Sequence, residues 1–205
     1  MSTIEVIANK LISHSRFIKM QNVTFMQNGQ QRSWDYISSM DAVSALVFDK
    51  VNRNFICIKQ FRPPLRFGAS SLTVNTIPAE QLGFCYELCA GLMDIEGRSK
   101  EQTVVDEIRE ELGYDVSVDS LEFITRTVGN VGLTGARGYM FYAEVTPEQK
   151  KYPGGGLASE GEQIEIVELS EQTIDDFLLD DKKEKAASFY IALYWWKHLR
   201  NQTNK

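Results

Sequence analysis

One segment constrains this chain more than any other: the run SKEQTVVDEIREELG from Ser99 to Gly113. Ser99 is a good N-cap, and Gln102 three residues later completes a capping-box pattern, so the spacing predicts a helix over 100–112. Val104, Val105, Ile108 and Leu112 recur at helical spacing and supply its buried stripe. Gly113 stands at the C′ position, where a left-handed backbone ends a helix. The same helix carries Glu107, Glu110 and Glu111. At about 100° per residue they share an arc of roughly 100°. Carboxylates so close repel one another, and a divalent cation among them relieves the repulsion. Hard cations such as Mg²⁺ favour oxygen ligands, typically a few carboxylates plus substrate phosphates. A solvated acidic face is the competing reading, and these three residues alone leave both open.

Around the helix the chain reads as strands. AVSALVF (42–48) and FICIKQF (55–61) are buried-strand candidates joined by the turn DKVNRN. Arg62 follows, and Pro63-Pro64 ends the second strand. Residues 67–82, small, polar and Pro-interrupted, read as a surface loop. Residues 86–90 form one short strand that runs into Gly91, and further strands are expected at 123–127, 139–145 and 164–169. AASFYIALYWWKHL reads as an apolar helix covering the sheet. Strands interspersed with two good helices give an α/β (α+β) class. The first 40 residues form a separate unit, because VTFMQNGQQRSWDYI is two strand-like runs around Asn28-Gly29. A hairpin alone is marginal, so this unit is expected to lean on the main domain or on a second subunit. The division is 1–40 and 41–205.

Composition narrows the function. The 205 residues carry 28 acidic and 22 basic side chains, a net charge of −6, which leaves no basic nucleic-acid footprint. No apolar run approaches the ~20 residues of a membrane helix, and the N-terminus lacks the pattern of a signal peptide. Three cysteines in apolar contexts (Cys57, Cys85, Cys89) fit a reduced, cytoplasmic protein better than a disulfide framework or a metal pair. Only two histidines are present, His14 and His198, near opposite ends, which disfavours a His-based triad or a two-His zinc site.

The run GLMDIEGRSKEQTVVDEIREELGY, from Gly91 to Tyr114, resembles the Nudix box. Glu107 to Tyr114 fits its second half position by position. Three features depart from the consensus. The spacer before Glu107 is one residue longer, Asp106 replaces the usual Arg, and Gly97-Arg98 stands where a spacer Glu is expected. The flanks KQFRPP, ELCAGLMD, VGLTGAR, MFYAEVT, PGGGL and EGEQIEIVEL resemble the UDP-sugar pyrophosphatase branch of the Nudix hydrolases, related to the ADP-ribose pyrophosphatases.

That resemblance implies a mixed β-sheet sandwiched between helices, with the N-terminal β-hairpin as a small dimerisation subdomain. It implies Mg²⁺-dependent hydrolysis of a nucleotide sugar, UDP-glucose to UMP and glucose 1-phosphate, by a homodimer, with Mn²⁺ as a substitute metal. Glu107, Glu111 and Glu162 match metal ligands, and Ala90 matches a position whose backbone carbonyl binds metal. Glu110 matches the third helical carboxylate, and Glu160 a base candidate in a mobile acidic loop whose flanking glycines loosen the backbone. Arg62 matches an arginine on the phosphates or sugar, and Arg137 a polar contact near the substrate. Trp34 reads as core or interface, or as a stacking platform for the base. Asp106 cannot form the usual Arg–Glu salt bridge, so either Arg98, Arg109 or Lys100 compensates, or the rate falls, or only binding survives. An ADP-ribose pyrophosphatase is the alternative within the family.

Overall fold

A computed structural model describes residues 4–15, 18–68 and 77–200, with the side chain of Glu160 outside that description. Part of the expected 67–82 loop (69–76) lies outside the described residues. The chain divides into two compact units, one of residues 1–40 with 128–136, the other of 41–127 with 137–205.

The smaller unit is built on an antiparallel ribbon, β1 (Lys19–Gln27) and β2 (Gln30–Ser38). Asn28 and Gly29 both have positive φ, 52° and 80°, as a two-residue hairpin turn demands. Residues 128–136 dock on β2. Ile37 N–H donates to the Leu133 carbonyl at 2.7 Å, and Trp34 Nε1 donates to the Gly132 carbonyl at 2.8 Å. That segment, VGNVGLTGA, belongs to this unit although it lies about 90 residues downstream.

The larger unit holds a mixed sheet whose path runs β10-β5-β4-β3-β8-β7, with β6 paired to β3 and β9 to β4. Its members are β3 (Ala42–Asp49), β4 (Asn54–Phe61), β5 (Phe84–Glu87), β6 (Cys89–Leu92), β7 (Glu122–Val128), β8 (Arg137–Val145), β9 (Glu165–Ser170) and β10 (Glu184–Lys185). Alternation along β3 and β4 fills both faces. Val43, Ala45, Val47, Ile56 and Ile58 face one cluster with Val104, Val105, Ile108 and Leu112 of α2 (Lys100–Glu107 and the turn after it). Leu46, Phe48, Phe55 and Cys57 face the other, with Phe189, Ala192, Leu193 and Trp195 at the C-terminal helix. The sheet is therefore sandwiched between helices.

Two expectations change. Residues 86–90 are not one strand: the chain leaves β4 after Glu87, turns at buried Leu88, and joins β3 as β6. The edge of β3 is shared, β6 taking residues 42–45 and β4 residues 47–49. The 100–112 helix is α-helical to Glu107 and then widens into a π turn, Ile108–Leu112. The carbonyls of that turn are claimed from outside: Gly155 N–H donates to Glu111 and Gly156 N–H to Glu110. Helices α1 (Pro63–Phe67) and α3 (Ile174–Leu179) were not expected. The former starts on the two prolines that end β4, since proline suits the first helical turn. The C-terminal helix, α4 (Ala187–Tyr194), also ends in a π turn, Trp195–Leu199.

Candidate active site

The capping box forms as read: Gln102 N–H donates to Ser99 Oγ, and Ser99 N–H donates back to Gln102 Oε1. It fixes where α2 starts and hence which residues face β6. Glu111 is the deepest of the acidic residues, 2% exposed, and its Oε2 accepts the backbone N–H of Ala90 at 2.9 Å. Burial pushes the Glu111 carboxyl up to about 8. The Ala90 N–H and the Cys89 thiol act against that rise, while the nearby charges of Glu107 and Glu162 add to it. Cys89, fully buried, is raised by the same burial and by Glu111, Glu107 and Glu110.

Glu107 lies against Gly91. A Cβ at position 91 would stand 1.8 Å from Glu107 Oε1, so only glycine admits the carboxylate there. Glu162 closes the group from the other side of the sequence: its Oε2 accepts the backbone N–H of Leu157 at 2.9 Å. Glu107 thus lies against Gly91 and Glu111 against Ala90 in β6, and the charge of Glu162 reaches Glu111. The side chain of Glu160 lies outside the described residues. Glu110 is half-buried on the same turn, and its charge reaches Cys89.

Arg62 is held by Glu87 in a fork, Nε to Oε1 at 2.8 Å and Nη2 to Oε2 at 2.7 Å. That pairing raises its pKa further, and the charge of Glu111 also reaches it. Nη1 takes no part in the fork. Glu87, which holds Arg62, was not singled out by the sequence; the signal was a lone carboxylate between Cys85 and Cys89 among apolar residues. Arg137 begins β8, where Gly138 and Leu92 flank Ala42 from opposite sides. Its N–H donates to Asp41, and its side chain is exposed. Trp34 is 45% exposed in the smaller unit, with the Arg32 guanidinium over its ring.

Asp106 is paired with both Arg98 and Arg109, while Lys100 pairs with Glu101. Arg98 comes from the position where the consensus carries a spacer Glu. The charge pattern of the box is therefore inverted at two places that meet in space, and the inversion is self-consistent.

Among the described residues no group of three or more His, Cys, Asp or Glu side chains is gathered closely enough to hold a metal ion. The chemistry of the donors nevertheless fits a hard cation. Glu111 is a buried carboxyl whose ionised form is opposed by burial and by two neighbouring carboxylates, and a cation reverses both penalties.

Comparison with known proteins decides the family. No family model matches the chain. The uridine diphosphate glucose pyrophosphatases NUDT14 of Mus musculus and Bos taurus are 34% and 35% identical to it over 211 aligned positions, covering 96% of this chain and 95% of theirs. An uncharacterised Nudix hydrolase of Schizosaccharomyces pombe is 26% identical over 77% of this chain and 73% of its own length. The chain belongs to the Nudix hydrolases. A crystal structure of an ADP compounds hydrolase shares the fold, with TM-score 0.63 and 16% identity over 92% of this chain and 91% of that one. The Nudix sheet-and-helix sandwich expected from the resemblance is thus the observed one.

Proposed function

We propose that this Nudix hydrolase cleaves the pyrophosphate bridge of UDP-glucose, giving UMP and glucose 1-phosphate, with Mg²⁺ as cofactor. The observation that carries the substrate is its identity to the two UDP-glucose pyrophosphatases over nearly the whole chain. Glu107, Glu111 and Glu162, with the Ala90 carbonyl, would hold the metal. When bound, Mg²⁺ supplies charge neutralisation at the phosphate oxygens and a more acidic water. The remaining work falls to the chain. The Ala90 N–H fixes the orientation of Glu111, and Gly91 leaves room for Glu107. Glu87 sets the plane of the Arg62 guanidinium, so that Nη1 meets a phosphate oxygen without searching rotamers. Water oxygen bonds to one phosphorus, the bridging P–O bond breaks, and the bridging oxygen leaves on the other phosphate. Glu160 takes the water proton, with Glu110 the second carboxylate at hand. Arg137 makes a polar contact near the substrate, and Trp34 offers the base a stacking platform across the dimer.

The Arg98–Asp106–Arg109 pairing supports turnover over a binding-only role, since Asp106 is compensated as a helix-fixing residue. The protein acts as a cytoplasmic homodimer, with the ribbon as its contact: Met20, Val23, Met26 and Trp34 leave apolar surface exposed there. Buried free thiols accord with a reducing compartment. The test is product release from UDP-glucose and ADP-ribose, with and without Mg²⁺, for wild type and Glu107→Gln. UMP and glucose 1-phosphate, Mg²⁺-dependent and lost in the variant, are expected. A preference for ADP-ribose would overturn the substrate and keep the mechanism, and no turnover of either would leave a binding protein.

A further inference from the structure

Gly154, Gly155 and Gly156 do not form a slack hinge. All three have positive φ, 71°, 95° and 83°, a run that side chains rarely tolerate. The amides of residues 155–157 are spoken for in order. Gly155 N–H donates to the Glu111 carbonyl at 2.8 Å and Gly156 N–H to the Glu110 carbonyl at 3.1 Å. The next amide, Leu157 N–H, donates to the Glu162 carboxylate at 2.9 Å. Glu162 N–H returns to the Leu157 carbonyl, and Ile164 N–H to the Gly155 carbonyl, both at 3.3 Å. Three consecutive amides thus tie the carbonyl end of the acidic turn to the carboxylate of a distant loop, with no side chain as intermediary. Gly156 is also the contact surface for Glu162. A Cβ there would lie 2.6 Å from Glu162 Oε2 and 2.8 Å from Glu162 Cβ.

We propose that Gly156 and the Leu157 amide are positioning groups that set the Glu162 carboxylate at a fixed distance from Glu111. The inference rests on the reading of Glu162 as a metal ligand and adds what places it. Its physical basis is that main-chain bonds have fewer soft torsions than side-chain contacts, so the spacing is set by the backbone of residues 155–157. Any side chain at 156 must push the carboxylate away, and losing the Leu157 donor must release it.

The experiment is Mn²⁺ titration of the full-length protein by electron paramagnetic resonance, alongside thermal melts. The variants are Gly156→Ala, Glu162→Gln, their double, Leu157→Pro and Gly97→Ala. Gly97 is the strain control, with φ 78° and nothing within 4 Å of an added Cβ. Gly156→Ala and Glu162→Gln should each weaken Mn²⁺ binding about tenfold or more, as loss of ligand orientation does. The double should bind no worse than Glu162→Gln, because both remove one interaction. Leu157→Pro deletes the donor and sets the ring Cδ where the N–H met Glu162, and should weaken Mn²⁺ binding even if Gly156→Ala does not fold. Gly97→Ala should melt lower and bind Mn²⁺ as wild type. Additive losses in the double, or unchanged binding in Gly156→Ala and Leu157→Pro while Glu162→Gln weakens it, would overturn the positioning role. Unchanged binding in Glu162→Gln itself would overturn the metal role beneath it.

Discussion

At Glu111, burial ties the protonation of one carboxyl to folding. Its folded pKa of about 8 lies above the usual carboxylate range, so between roughly pH 4.5 and 8 the folded state holds a proton that the unfolded state has lost. Stability from this residue is therefore full at low pH and declines as pH rises through about 8. Metal-free protein should melt progressively lower from pH 5 to pH 8, Glu111→Gln should flatten that slope, and Mg²⁺ should raise the melting temperature more at pH 8 than at pH 5.5. Melts in chelator and in Mg²⁺ across this range check all three. At Gly91 the argument is steric. Gly91→Ala would force Glu107 from its place and should cut metal affinity and turnover at least tenfold while the fold persists, which metal titration and circular dichroism would register.

Among elements, α2 is the one whose ends do the positioning. Its start depends on the reciprocal Ser99–Gln102 bonds, so Ser99→Ala should cost about 1 kcal/mol, read as a lowered denaturation midpoint at constant slope. Its end is a π turn tied to the triglycine segment rather than a plain helical stop. The step from β5 to β6 matters equally. By changing partner at Leu88, the chain brings Cys89–Gly91 alongside β3 and under the acidic side of α2, while Glu87 stays behind to hold Arg62.

For the molecule as a whole, the two units make separate predictions. The ribbon leaves Met20 81% and Met26 64% exposed on one face, and Val23 41% and Trp34 45% exposed on the other, the face we propose for a second copy. Sedimentation of Val23→Asp should show a shift from dimer toward monomer at micromolar concentration, and an unchanged dimer would move the interface elsewhere. In the larger unit all three thiols are buried, Cys57 and Cys89 within the two cores, and burial raises Cys57 and Cys85 to about 12. Thiol reagent at pH 8 should label none of the three promptly in the folded protein and all three in denaturant.

Much of this protein follows from sequence alone. The capping box, the α2 stripe, the Asn-Gly hairpin, the buried strands and the acidic box are local patterns, governed by interactions among residues a few positions apart. The Asp106 departure was equally legible, and so were the arginines able to compensate it. Tertiary structure decided the rest, because it depends on contacts between residues distant in the chain. Nothing near Arg62 announced Glu87, since the pair forms only when β4 and β5 align. The triglycine run suggested a loose backbone, but its amides find acceptors only where the α2 turn ends. The proton on Glu111 is likewise a property of the fold: an isolated carboxyl ionises near its ordinary pKa, and burial between α2 and β6 raises it.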